Sequence, residues 1–151
     1  MSRTSYELLS AMPSEINFTG PVIPSAGWYG HTKGLHTIAI CVHNFQGRIS
    51  IQGSQAVSPC EYDWFSVPYP EPFTGMPYIQ YPRPNIPHKD PNLRNGGENS
   101  TFGFSFTVNC LWLRASITRD YLLPINTPTY AGLQSNAVSW LGNVDSILVN
   151  Y

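Results

Sequence analysis

Hydrophobic and polar residues alternate in several short runs of the chain, and a period of two marks half-buried β-strands. From Thr37 to Val42, the side chains of Ile38, Ile40 and Val42 fall on one side, and Thr37, Ala39 and Cys41 on the other. The small residues of the second side suggest that it too is covered. Arg48 to Gln52 repeats the pattern, with Ile49 and Ile51 inward and Arg48, Ser50 and Gln52 outward. Between them lies His43-Asn44-Phe45-Gln46-Gly47, a short connection of turn residues, so the two strands are expected to form a β-hairpin. Thr101 to Asn109 is the cleanest strand: Phe102, Phe104, Phe106 and Val108 alternate with Gly103, Ser105 and Thr107. A glycine at position 103 fits a bulge or the close approach of another backbone. In Cys110 to Thr118, Leu111, Leu113, Ala115 and Ile117 face one way, and Trp112, Arg114, Ser116 and Thr118 the other. Trp112 beside Arg114 suggests a cation–π contact on the outer face. Val144 to Tyr151 carries Ile147, Leu148 and Val149 in a row, which predicts a strand buried on both faces that ties this end into the sheet.

The segments between these runs have other patterns. Thr4 and Glu7 have capping-box spacing, and Tyr6, Leu8, Leu9 and Met12 give an apolar side, so one short helix is expected before Pro13. So short a helix is marginal alone, and residues 1–15 are read as a docking segment. Ile16 to Ile23 has strand character broken by Gly20-Pro21, which restricts it to an edge. A glycine-rich turn follows and presents Trp28-Tyr29, a pair suited to stacking on a sugar, packing on a partner, or capping the sheet end. Trp64 is expected to anchor the core, with Asp63 as a loop cap. Residues 68–100 carry Pro68, Pro70, Pro72, Pro77, Pro82, Pro84, Pro87 and Pro91 with Tyr69, Tyr78 and Tyr81 among them. Proline at this density excludes a central strand and a regular helix. The tyrosines argue against disorder, so this stretch reads as an extended arm along its own sheet or a neighbouring subunit, with Asn92 to Ser100 as a mobile end. Residues 122–140 form a second loop with a helical turn near Leu133 to Trp140. The fold class expected is all-β: an antiparallel β-sandwich, jelly-roll-like, spanning residues 16–151 as one domain with the arm inserted.

Composition changes the picture in one respect. Charged residues make up 11% of the chain and aromatic residues 13%, against roughly 25% charged in ordinary soluble proteins. Interface cores are depleted in charge and rich in Tyr, Trp and Phe, so the chain reads as a subunit whose surface is covered by neighbours. A formal net charge of −1 with no basic run argues against a nucleic-acid partner. No apolar run reaches the length of a membrane-spanning helix. The opening MSRTSYELLSAMPSE lacks an apolar core of signal-peptide length, which leads to the expectation of assembly in a cytoplasm. Cys41, Cys60 and Cys110 lack metal or disulfide-framework spacing and read as free thiols. His31, His36 and His43 cluster in sequence, yet form no ligand pair at metal spacing. No G-x-S-x-G and no base in a telling context is present, so the expectation is a chain without enzymatic activity, cofactor or metal.

A set of fragments in order carries a resemblance: Asn17-Phe18-Thr19-Gly20, Gly27-Trp28-Tyr29-Gly30, Gly34-Leu35-His36-Thr37, Asn44-Phe45-Gln46-Gly47-Arg48-Ile49-Ser50-Ile51-Gln52 and Glu61-Tyr62-Asp63-Trp64-Phe65. It continues through Phe104-Ser105-Phe106-Thr107-Val108-Asn109, Trp112-Leu113-Arg114, Arg119-Asp120-Tyr121-Leu122 and the run from Gly142 to Tyr151. The pattern resembles small structural proteins of tailed bacteriophages, particularly T4-like phages of cyanobacteria, over roughly two-thirds of the chain. The arm departs from it, being longer and richer in proline. The resemblance implies a virion subunit without enzymatic activity, at head, neck or baseplate. Candidate partner-binding residues are Trp28, Tyr29, Tyr69, Phe73, Tyr78 and Tyr81, and the expected partners are other virion proteins and further copies of the chain. The alternative is a glycan-binding module that stacks host surface polysaccharide on exposed rings, with Trp28, Tyr29, Tyr78, Tyr81 and Trp112 as platforms.

Overall fold

The computed structural model describes residues 5–13, 15–31, 33–84, 97–122 and 141–151. Within them the chain forms ten strands: β1 (Ser5–Leu9), β2 (Phe18–Thr19), β3 (Ile23–Pro24), β4 (Leu35–Phe45), β5 (Gly47–Ser54), β6 (Phe65–Ser66), β7 (Ile79–Tyr81), β8 (Glu98–Thr107), β9 (Trp112–Thr118) and β10 (Asn143–Asn150). Two antiparallel sheets pack face to face. One has the order β1-β10-β4-β8; in the other β9 and β5 are central, β2 and β3 both pair with β9, and β6 and β7 both pair with β5. Counting β2–β3 and β6–β7 each as one interrupted edge strand gives eight strands whose successive members mostly change sheet. This is the jelly-roll form of the expected β-sandwich.

Inward residues of both sheets make one core. Ile38, Ile40, Val42, Phe104, Phe106, Val144, Ile147 and Val149 come from the first sheet, and Ile49, Ile51, Ile79, Leu113, Ala115 and Ile117 from the second. The alternation in β4, β5, β8 and β9 is therefore a true record of which side chains are buried.

The expected hairpin between Thr37–Val42 and Arg48–Gln52 does not form. β4 pairs with β10 and β8, whereas β5 pairs with β9, β6 and β7. The chain turns a corner at Gln46 and passes from one sheet to the other, so the isoleucines of β4 and β5 meet across the core. Gln46 N–H donates to the Leu141 carbonyl at 2.9 Å. Gly47 has φ of +148°, and a Cβ there would lie 2.5 Å from Cγ of Arg119. The corner thus needs glycine because a buried arginine side chain lies against it.

Three further expectations are corrected. The short helix near the start is instead strand β1, pairing Ser5 with Asn150 and Tyr6 with Val149. Leu8 and Leu9 are buried in the domain's own core, so this segment docks inward. β10 is central, lying between β1 and β4, but Leu148 is exposed on its outer face while Ile147 and Val149 are fully buried. A register shift between Val144 and Ser146 accommodates the uneven pattern. Asn92 to Ser100 is not one mobile end, since Glu98, Asn99 and Ser100 already belong to β8. The helical turn expected near Leu133 to Trp140 lies outside the described residues.

Arg119 is fully buried. Its Nε donates to the Ile16 carbonyl at 3.1 Å and Nη1 to the Gly142 carbonyl at 2.7 Å, and Nη2 donates to the Glu15 carbonyl. Burial pushes its guanidinium down to about 10, which leaves it charged at neutral pH. One cation therefore ties together the approach to β2, the corner and the start of β10.

Candidate functional site

The described part of the proline-rich arm folds back on its own domain. Tyr69 is 5% exposed, Phe73 5% and Tyr81 1%. The Tyr69 hydroxyl accepts the Ile51 amide proton at 2.8 Å and lies 3.2 Å from the Ile51 carbonyl, to which it donates. Its ring meets Phe104 of the opposite sheet edge-on at 5.9 Å. Tyr81 packs edge-on against Phe45 at 5.5 Å. Ser50 and Ser66 both donate to the Pro77 carbonyl at 2.9 Å, and β7 then pairs with β5. Near the end of its first described stretch is Arg83, whose Nη2 lies 2.8 Å from Oε2 of the fully buried Glu98 and whose guanidinium covers the Phe102 ring at 4.1 Å. The described part of the arm closes one side of the sandwich. Tyr69, Phe73 and Tyr81 are core residues and offer nothing to a partner. Their rings are apolar enough to be drawn into the gap between sheets, and the Tyr69 hydroxyl meets a strand amide there. Tyr78 is half-buried and covers Arg48 at 4.4 Å.

The outer face of the second sheet is built of arginines laid on rings. Arg48 lies between Tyr78 and Tyr121, at 4.4 and 4.0 Å. Arg114 lies on Trp64 at 4.3 Å and bonds Gln52 Oε1 at 2.7 Å. Trp64 is thus no core anchor; it is a half-buried cover on the outside, and it takes the cation–π role expected of Trp112. Asp63 caps its loop as expected, accepting the Cys60 amide at 2.7 Å.

The Trp28-Tyr29 turn presents two adjacent exposed rings. Successive bonds from Trp28 N–H to Ser25, Tyr29 N–H to Ala26 and Gly30 N–H to Gly27 coil residues 25–31 into a tight turn. The turn is fixed from below in two ways. A Cβ on Gly27 would sit 2.2 Å from the Cys110 carbonyl oxygen, so only glycine lets the backbone lie this close. The Ala26 amide donates to Nε2 of the buried His36 at 3.2 Å, while His36 Nδ1 lies 2.8 Å from the Gly34 carbonyl. This pairing requires the neutral ring with its proton on Nδ1. His36 also stacks on Phe106 at 5.0 Å.

Trp28 and Tyr29 are each 51% exposed. Trp28 packs against Trp112 at 4.7 Å, and the Trp112 indole N–H donates to the Ala56 carbonyl at 3.0 Å. Tyr29, Tyr6 and Tyr151 form a second cluster, with Tyr6 and Tyr151 stacked at 5.0 Å. Desolvation, then the neighbouring Tyr6, holds the Tyr29 hydroxyl above the usual phenol range. Desolvation raises Tyr151 as well, with Tyr6 and Tyr29 adding to it. Beside Trp28 opens a pocket of about 470 Å³ lined by Gly27, Gly30, His31, Gln55, Asn109, Cys110 and Leu111. The Gln55 amide donates to the Asn109 carbonyl at 2.8 Å across its wall.

The structure separates His43 from the other two histidines, while His31 and His36 both lie against the Tyr151 ring, at 6.5 and 5.3 Å. His36 and His43 are seven residues apart on β4, a distance of roughly 23 Å at strand rise. Among the described residues, no group of three or more His, Cys, Asp or Glu side chains is placed to hold a metal. Sequence reasoning found Trp28 and Tyr29, but missed Gln55, Asn109 and the Tyr6–Tyr151 stack. Those residues come from distant segments, and only the jelly-roll order brings them to one end. In comparison with known proteins, the chain matches no family model, no curated protein and no solved structure.

Proposed function

We propose that the chain is a non-enzymatic structural subunit of a tailed-phage virion that assembles with other virion proteins and with copies of itself. The observation that carries this reading is the outer face of the four-stranded sheet. Its rows run Glu7–Leu148–Ala39–Gly103, Ser5–Asn150–Thr37–Ser105 and Ser146–Cys41–Thr101 across the strands. Uncharged residues fill these rows apart from Glu7, and one further carboxylate, Asp145, lies beside Cys41 at the bulge of β10. Such a face costs little desolvation and little side-chain entropy to cover, which suits a permanent interface. The motif resemblance adds to it. The jelly roll itself does not choose, because capsid and lectin domains both use it. The test is mass spectrometry of purified phage particles with antibody labelling of intact ones. The chain is expected in stoichiometric amount; its presence in the infected-cell lysate but not in particles would overturn the proposal.

One observation favours the second reading, a glycan-binding module on the virion exterior. The pocket lined by Gly27, Gly30, His31, Gln55 and Asn109 belongs to the turn that carries the exposed Trp28, and amide groups close to an exposed ring are the mix that holds a sugar. Titrating host polysaccharide while following tryptophan fluorescence tests it. Saturable quenching that Trp28→Ala removes would support the module, and an unchanged spectrum would refute it.

A further inference from the structure

Among the described residues, the sheet edges are blunted with one exception. β2, β3 and β6 are two residues long, and β7 is three residues long between Pro77 and Pro82. β1 is five residues long. Short edges and prolines of this kind keep other chains from pairing. β8 is ten residues long, lies at the edge of its sheet, and among the described residues pairs with β4 alone. Its register with β4 runs unbroken from Thr107 back to Ser100. After Glu98, which Arg83 clasps, the strand contains no charge and no proline. Thr101, Gly103, Ser105 and Thr107 are exposed.

We infer that β8 is the edge through which two copies of this chain pair, antiparallel and centred on Gly103, to join their four-stranded sheets. The occupant follows from the residues of β8 themselves. Around Gly103 the strand reads Thr-Phe-Gly-Phe-Ser, nearly the same in both directions. A two-fold axis through Gly103 sets Phe102 opposite Phe104 of the second copy and Thr101 opposite its Ser105. Outward residues then meet outward residues and inward meet inward, so both cores lie on the same side of the joined sheet. Thr101 opposite Ser105 repeats a pair already seen inside the chain, where Thr37 Oγ1 lies 2.9 Å from Ser105 Oγ. Phe102, Phe104 and Phe106 form a continuous row, 5.6 and 6.2 Å apart between ring centres. Pairing extends that row across the axis, and aromatic cross-strand pairs stabilise a sheet. A Cβ at Gly103 would meet only the Ile38 carbonyl oxygen, at 3.6 Å, so a side chain can be placed at the axis without disturbing the fold. This inference rests on the proposal that the chain assembles with its own copies.

Light scattering of the full chain across a concentration series tests it, with two variants at the axis. Gly103→Lys brings two ammonium groups face to face and is expected to weaken the dimer at least about tenfold, while Gly103→Thr is expected to retain it. Circular dichroism and thermal unfolding of both variants verify that the fold survives. Register is read by crosslinking in a Cys60→Ser background, which removes the exposed thiol: Gly103→Cys is expected to form a disulfide between copies on mild oxidation, and Thr107→Cys is not. A monomeric wild-type chain, a Gly103→Lys dimer of unchanged strength, or preferential crosslinking at Thr107→Cys would each overturn the inference. A monomer would point to another segment of the chain, or a different virion protein, over this edge. A monomeric chain still found in particles would remove the edge pairing and leave the structural role standing; a dimer absent from particles would do the reverse.

Discussion

Removing one oxygen atom from Tyr69 tests whether the arm is a partner-binding device or part of the domain. β5 is an inner strand whose partner on one side is broken: β6 covers it near Gln52, and β7 covers it near Ile49. Between them the Ile51 amide has the Tyr69 hydroxyl as its acceptor at 2.8 Å, while the Ile51 carbonyl also receives the Val67 amide at 3.0 Å. Tyr69→Phe leaves the carbonyl bonded and the amide buried without an acceptor. An unsatisfied buried donor costs about 1–3 kcal/mol, and in a domain of this size each kcal/mol lowers Tm by about 2–4 °C. Differential scanning calorimetry at neutral pH should therefore show a fall of about 2–12 °C with the transition still cooperative. The burial of the same hydroxyl gives a pH signature. Burial pushes the Tyr69 hydroxyl up to about 12, with the Ile51 bond offsetting part of the rise, against 10.0 for a free phenol. The folded state holds this proton more tightly than the unfolded one. The contribution is therefore complete below pH 10 and is lost as pH climbs through 10 toward 12. Tyr69→Phe should flatten that alkaline loss relative to the wild type. If the variant melts like the wild type at both pH values, the hydroxyl carries no structural role and the account of the arm fails.

Three other outcomes follow from the packing. Arg83→Ala leaves the buried Glu98 carboxylate without its cation and should cost about 3–5 kcal/mol in urea unfolding; adding Glu98→Gln should recover part of it, and a single variant of unchanged stability would refute the pairing. Arg119→Met removes the donor to the Glu15, Ile16 and Gly142 carbonyls and should cost about 2–4 kcal/mol by the same measurement; a gain in stability would mean that the buried charge outweighs its bonds. Deleting Val144 to Tyr151 takes the central strand from the four-stranded sheet, and the product should show no cooperative thermal transition; unchanged melting would contradict the strand order.

What was legible in the sequence is what a period of two encodes. Ile38, Ile40, Ile49, Ile51, Leu113 and Ile117 announce strands and their buried faces, because every second side chain has the same surroundings. Partner choice was not legible. Ile38 and Ile49 fit a hairpin and a face-to-face packing equally well, and the corner at Gln46 depends on Arg119, far along the chain. Tyr6, Leu8 and Leu9 match a helical side as well as a short strand, and the partner that decides, β10, lies well over a hundred residues away. Proline density correctly excluded regular structure from the arm, but a tyrosine is as ready to be buried as exposed. The direction of Tyr69 depends on the Ile51 amide needing an acceptor, and nothing local to the arm shows that. At the candidate site, Trp28 and Tyr29 stood out as large rings in a glycine turn. The pocket beside them is made by Gln55 and Asn109, which carry no pattern of their own.

The place of β10 between β1 and β4 has a consequence for synthesis. During translation β1 emerges first, yet its hydrogen-bonding partner is encoded in residues 143–150, and β4 likewise lacks its inner neighbour until then. The nascent chain must keep Leu8, Leu9 and the isoleucines of β4 unsheltered for most of its elongation, the interval in which exposed strand edges aggregate. The flat outer face comes into existence only when β10 slides into the gap. The pairing of β1 and the completion of that face therefore both wait on residues 143–150.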